Sequence, residues 1–298
     1  MLRLAIALAV TAALLLAFGT ARADDPPYVG WTQLLPGLTM QYDPSSANDC
    51  TAGRTRCVDA VIREMERRFE PLADSCDHDV IFSLAYLRTT EEYRRTIQDP
   101  NFFSDTPFVN HEDAVFARLY FDAYDAWHAG RSAAVAPAWA IAFQAAADHA
   151  VTAQGDLSLG ISAHIQRDLP FALAAIGLVK PDGSTRKTDH DRVNIFLNRV
   201  TDDLYAEIAR RFDPTIDDTN LPGTADDAGV FQLIPTWREI AWRNAERLVA
   251  ATTPEARASV AASIEAYAAS QAETIRQAQG YTPLQNSSAR DAYCAAHG

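Results

Sequence analysis

The chain has 298 residues, 48% of them hydrophobic, with 26 Lys and Arg against 39 Asp and Glu and a formal net charge of −13. Such a surface repels phosphate backbones, and no basic patch interleaved with aromatics offsets it, so no nucleic-acid partner is expected. The length is enough for one large core or two modest ones.

Residues 1–23 read as a signal peptide. Arg3 supplies the positive end, LAIALAVTAALLLAF is continuously apolar, and Ala21-Arg22-Ala23 gives the small-x-small pattern that makes Asp24 the first mature residue. The stretch is short for a bilayer span, so no stable membrane span is expected after cleavage. The mature chain is expected to be secreted, or held outside the cytoplasm in the cell envelope. In an oxidising compartment the four cysteines are expected to pair. Cys50 and Cys57 enclose the short loop TAGRTR, which leaves Cys76 to tie down the tail at Cys294, although three pairings are formally open. A zinc site of all four is the lesser alternative, because no C-x-x-C knuckle is present.

Residues 24–54, rich in Pro, Gly, Asp and Ser with isolated Tyr28, Trp31 and Tyr42, read as an extended arm. From residue 55 to 298 the pattern is helical and is taken as one domain. CVDAVIREMERRFEPL places Val58, Ile62, Met65 and Phe69 on one stripe, ending at Pro71. A helix from about Asp77 breaks at Asp99-Pro100, PNFFSDTPFVN reads as a loop, and Asn110 with Asp113 gives a cap signal for HEDAVFARLYFDAYDAWHAG. The Ala-rich SAAVAPAWAIAFQAAADHAVTA has the composition of a central helix and is broken at Gly155-Asp156. GISAHIQRDLPFALAAIGL follows, then HDRVNIFLNRVTDDLYAEIARRF, a polar stretch, TWREIAWRNAERLVAA and PEARASVAASIEAYAASQAETIRQAQ. With no convincing strand pattern, the expected fold is all-α: a single irregular bundle of seven to nine helices.

The polar residues of the apolar segments carry the chemistry. His164 and Asp168, four apart, share a helix face in a segment otherwise suited to a core, and an unpartnered buried carboxylate is costly. Pro170 breaks the backbone pattern just beyond, where a kink can open a cavity. Two roles suit the pair: metal ligands or an acid–base couple. A satisfied structural hydrogen bond is the plain alternative. His190 is a candidate ligand or base at the start of the next helix. Asp113 and Asp122 are candidate carboxylate ligands among aromatic neighbours, and Arg118 pairs with Asp122 by spacing or meets a substrate. Trp242 and Arg243, with Trp237 and Arg238, make a mixed face suited to a substrate anion. The expected metal set is therefore His164, Asp168, Asp113, Asp122 and His190, with zinc foremost and iron or manganese also suited to such ligands.

The segments HEDAVFARLYFDAYDAW, LGISAHIQRDLPFAL, HDRVN and the late Trp-Arg helix resemble a mostly bacterial family, domain of unknown function 5995. The resemblance implies one helical domain over most of residues 55–250. The run of His164, Asp168 and Pro170 is similar to the zinc-binding helix of the phospholipase C/P1 nuclease group, which implies a secreted, zinc-dependent phosphodiesterase. The second His of that pattern is replaced by Phe171, Ala172 and Leu173, and Asp24 stands where that group has an amino-terminal Trp.

These observations point first to a secreted metal-dependent hydrolase of a phosphoester or lipid, in which the ion activates a bound water. A carrier of an apolar ligand, held in a cavity between aromatic helix faces, is the second reading. An envelope-associated helical scaffold is the third.

Overall fold

A computed structural model describes residues 41–216, 229–282 and 284–298. The expected signal peptide and most of the expected arm, including Tyr28 and Trp31, fall outside the described residues. These residues form nine helices, in line with the all-α bundle read from the pattern. They are α1 (Thr55–Ser75), α2 (Val80–Thr96), α3 (Thr106–His128), α4 (Pro137–Ala147), α5 in three pieces (Ala153–Ser162, a π-helical turn Ala163–Asp168, and Leu169–Ile176), α6 (Lys187–Arg211), α7 (Gly229–Ala250), α8 (Pro254–Ala278) and α9 (Ser288–His297). None is long and apolar enough to cross a membrane. Both expected disulfides are present, Cys50–Cys57 and Cys76–Cys294.

α5 is the axis of the bundle. It packs against α2, α3, α4, α7 and α8, and every residue from Gly155 to Leu173 is buried. Such a helix needs an apolar surface all round, as the segment LPFALAAI supplies. The approach of α2 is set by Gly160, where a Cβ would fall 2.3–2.5 Å from side-chain atoms of Phe82. Only a residue without a side chain lets that ring lie against the backbone.

Local chemistry shifted several boundaries from their expected places. α1 runs through Pro71 to Ser75 and ends with Cys76 in the left-handed conformation, its N–H reaching the carbonyls of Leu72 and Ala73. α3 begins inside the expected loop, because Asp105 accepts from the Phe108 N–H at 3.3 Å and Pro107 sits in the first turn. Asn110 is therefore no cap. It is buried, accepts from the Tyr93 hydroxyl and donates to the carbonyl of Gly53 at 2.8 Å. Gly155 does not end a helix either: its N–H caps on Thr152 Oγ1 at 3.1 Å and so opens α5.

The kink expected before Pro170 is the π-turn. The Leu169 N–H donates to the carbonyl of His164, five residues back. Proline at position 170 lacks the donor that would continue the α-helical ladder, and the wider turn absorbs the misfit.

Candidate functional site

The π-turn carries both His164 and Asp168. Asp168 is fully buried, and both its oxygens are engaged. Oδ2 accepts from Trp139 Nε1 at 2.8 Å and lies 3.0 Å from His164 Nδ1, while Oδ1 accepts from Arg167 Nη1 at 2.9 Å. Arg167 continues to Glu265 at 2.9 Å. Burial pushes the Asp168 carboxyl up, but the bond from His164 and the charge of Arg167 outweigh it and hold the group below its usual range. Burial pushes His164 down, against the pull of Asp168, and keeps the ring neutral. An ionised acceptor facing a neutral imidazole places the proton on Nδ1, which leaves the lone pair on Nε2. That nitrogen is buried and has no hydrogen-bond partner among the described residues.

His164 forms part of the wall of a cavity of about 120 Å³ between α2, α3, α5, α6 and α7. Phe116 stacks on the imidazole with ring centroids 3.5 Å apart, and Tyr86 meets it edge-on at 4.5 Å. Phe82, Tyr93, Phe196 and Ile234 extend the apolar wall. Against it stand Glu112, Asp113 and Arg238. Burial pushes Glu112 up to about 7, opposed by the charges of Arg238 and Arg186. Burial, with Glu112 beside it, pushes Asp113 up to about 7 as well. The Asp113 Oδ2, Tyr86 hydroxyl and Arg238 Nε atoms are buried without partners among the described residues. A neutral base, two carboxyl groups that titrate near neutrality and a guanidinium thus share one small apolar chamber, a composition typical of ligand sites.

Of the residues singled out by sequence, His164, Asp113 and Arg238 face this chamber, and Asp168 stands behind His164. His190 does not reach it. Its Nδ1 accepts from Arg238 Nη2 at 3.2 Å and its Nε2 faces the Arg238 carbonyl at 3.2 Å, so both nitrogens are engaged in holding Arg238. Asp122 pairs with Arg118 at 2.8 Å along α3. Trp242 donates to Glu246 at 2.9 Å, and the exposed Arg243 pairs with Glu239 and Glu246. None of Arg118, Trp242 and Arg243 lines the chamber. The five expected metal ligands are not gathered at one point, and both oxygens of Asp168 are engaged by Trp139, His164 and Arg167.

A different set is gathered. Ligand atoms of His78, His149 and Asp291 all lie within 4.8 Å of one another, and this is the donor cluster of metal-binding type among the described residues. Two imidazoles and a carboxylate suit a divalent cation. Sequence gave little sign of it, because the three residues lie at the start of α2, in the turn between α4 and α5, and in α9. Glu112 was also underrated, since it resembles a first-turn surface acid until the fold turns it inward.

Searches of curated proteins and of solved structures return no match. Residues 58–278 match a family described as a family of unknown function, DUF5995. The match spans α1 to the end of α8, and thus every wall of the chamber; the chain belongs to this family.

Proposed function

We propose that the protein is an extracytoplasmic hydrolase that takes the apolar part of a small, lipid-like ester or phosphoester into the chamber and activates water at His164 Nε2. The observation that carries this reading is the unpartnered Nε2 of a neutral imidazole, its other nitrogen fixed by a buried carboxylate, at the wall of an aromatic cavity. Asp168 orients the ring and stabilises the imidazolium that forms as water is deprotonated, and Arg167 balances the carboxylate charge. Glu112 or Asp113, each half-protonated near neutrality, supplies a proton to the leaving oxygen. Arg238 offers a positive charge to the developing oxyanion in a setting of low dielectric.

A dry cavity of roughly 150 Å³ accepts a benzene-sized molecule. The chamber therefore suits a single ring or a short acyl chain. Two disulfides fit the export that the leader implies. The metal expected at His164 and Asp168 has no part in this reading, because both oxygens of Asp168 already accept hydrogen bonds.

The test is turnover of a panel of short-acyl and aromatic esters and phosphoesters by wild type and His164→Gln. Hydrolysis that falls by about 10²–10⁴-fold in the variant supports a base at this position. Equal activity in both rules out His164 as the base, and no turnover by either, together with an apolar molecule recovered on solvent extraction, makes the protein a carrier instead.

A further inference from the structure

We propose that His78, His149 and Asp291 form a site for one divalent zinc-class ion that clamps α9 onto the body of the bundle, apart from the chamber. Both imidazoles aim at the same carboxylate. His78 Nε2 lies 2.8 Å from Asp291 Oδ1 and His149 Nδ1 lies 3.1 Å from Asp291 Oδ2. A tetrahedral zinc ion with bonds of about 2.0–2.1 Å spaces its ligands by roughly 3.3 Å. The two His–Asp spacings therefore expand by a few tenths of an ångström, and the widest separation among the ligand atoms, within 4.8 Å, closes toward the same value as the three gather on one ion.

The surroundings have the form of a supporting shell. Ser287 Oγ donates to Asp291 Oδ2 at 2.7 Å, which fixes that carboxylate. Behind His78, Asp156 Oδ2 stands 3.6 Å from Nδ1, and Asp156 Oδ1 is buried without a partner among the described residues. A metal-bound His78 carries its proton on Nδ1 and directs it at Asp156, the carboxylate–histidine–metal arrangement that orients a ligand ring. Arg290 Nη1, now 3.2 Å from His78 Nδ1, gives up that contact and keeps its 2.6 Å bond to Asp156 Oδ2. The positive charge of Arg290 beside the ion is thus balanced by Asp156.

Backbone geometry holds the third ligand. Among the described residues His149 is one of two non-glycine residues with positive φ, at 51°, and its turn is pinned to the end of α8 by Thr152 N–H to the Gln279 carbonyl at 3.1 Å and Tyr281 N–H to the Ala150 carbonyl at 3.1 Å. Its ring lies 4.0 Å from that of His78 and is exposed, so the outer coordination position faces water. On α9, Asp291 is three residues from Cys294, whose disulfide reaches Cys76, two residues before His78. The ion and the disulfide would secure the same helix to the same corner.

Untagged full-length protein is stripped with a chelator and titrated with zinc chloride by calorimetry, with cobalt(II) absorption as a second readout. Wild type and His164→Gln are expected to bind one equivalent. His149→Asn, which tolerates the left-handed backbone, and Asp291→Asn are expected to bind at least about tenfold more weakly. Zinc should raise the melting temperature of wild type, and His149→Asn should melt as wild type does in chelator but gain nothing from zinc. Substoichiometric binding by wild type, or equal binding by His149→Asn, overturns the proposal. Because His164→Gln disables the chamber alone, failure of the hydrolase reading leaves this result untouched.

Discussion

The imidazole of His164 lies flat on Phe116, with ring planes 8° apart, while the edge of the same ring is held by Asp168 at 3.0 Å. One contact forbids tilting and the other forbids rotation, so the ring has a single orientation toward the chamber. The network behind it couples four buried groups, Trp139, Asp168, Arg167 and Glu265. Replacing Asp168 with Asn removes the charge that Arg167 balances and leaves the guanidinium facing Glu265 alone. Breaking one partner of a buried pair costs about 3–5 kcal/mol. Trp139→Phe removes a single hydrogen bond to a charged group, for a loss of about 1.5–3 kcal/mol. Urea unfolding of both variants checks the order, and an Asp168→Asn cost no larger than that of Trp139→Phe would show that the charge is not paired in this way.

The two chamber carboxyls give a pH dependence with a definite sign. Glu112 moves from 4.5 in the free side chain to about 7 in the fold. A raised folded value means the folded state holds its proton longer, so this contribution is fully present below pH 4.5 and is lost as pH rises through 7. Glu112→Gln should therefore leave stability unchanged at pH 4 and raise it at pH 8, by about 1–3 kcal/mol once partial access to the cavity is allowed for. His78 acts in the other direction. Burial and the charge of Arg290 push it down to about 4, so its contribution is whole above pH 6.5 and is lost as pH falls toward 4. Denaturant titrations of the variant and wild type at both pH values separate the two effects; a gain that is equal at pH 4 and pH 8 would rule out the titration of Glu112 as its source.

The helical class, the short-loop Cys50–Cys57 disulfide and the burial of a polar pair at His164 and Asp168 could be read from the sequence because each is a local signal, and the Cys76–Cys294 bond was favoured only as the pair then left over. An i,i+4 imidazole and carboxylate in an apolar run, followed by Pro170, marks a strained and polar stretch of core wherever the chain folds it. The metal-type cluster could not be read in this way, since 213 positions separate His78 from Asp291 and what brings them together, the Cys76–Cys294 bond beside them, is itself a long-range contact. The role of Asp189 was hidden for a related reason. It looks like one more first-turn acid, yet its oxygens accept from Ser104 N–H, Ser104 Oγ and Asp105 N–H, which fixes the segment leading into α3. That contact fixes where α3 starts, and so which acids of HEDAVFARLY turn inward.

Gly160 gives a sharper test of the axis. A Cβ at this position would meet Phe82 Cγ at 2.3 Å, well inside van der Waals contact, so Gly160→Ala must push α2 away or rotate the ring. Overpacking of this kind costs about 1–3 kcal/mol. Phe82 also lines the chamber, so the displacement should reach His164 and weaken binding of an apolar fluorescent probe. Combining Gly160→Ala with Phe82→Leu should recover part of the loss, since contacting sites are not additive. Strict additivity in a double-mutant cycle would place the two residues out of contact.

The disulfides should differ in what they contribute, because the loops they close differ so much in length. Cys50 and Cys57 are separated by 7 positions and Cys76 and Cys294 by 218. Loop-closure entropy of the unfolded chain then assigns about 2 kcal/mol to the first and about 5 kcal/mol to the second. The Cys76→Ser/Cys294→Ser double variant should accordingly unfold at markedly lower denaturant than Cys50→Ser/Cys57→Ser. It should also release α9 first, because beyond that bond the helix is held mainly by Asp291, by Arg290 with Asp156, and by the Tyr293 hydroxyl on the Arg210 carbonyl at 3.1 Å. Amide hydrogen exchange would then show loss of protection in residues 288–297 before any change in α5. Simultaneous loss in α9 and α5 would mean that the carboxyl-terminal helix belongs to the cooperative core, and that its tether acts on the whole bundle and not on one corner of it.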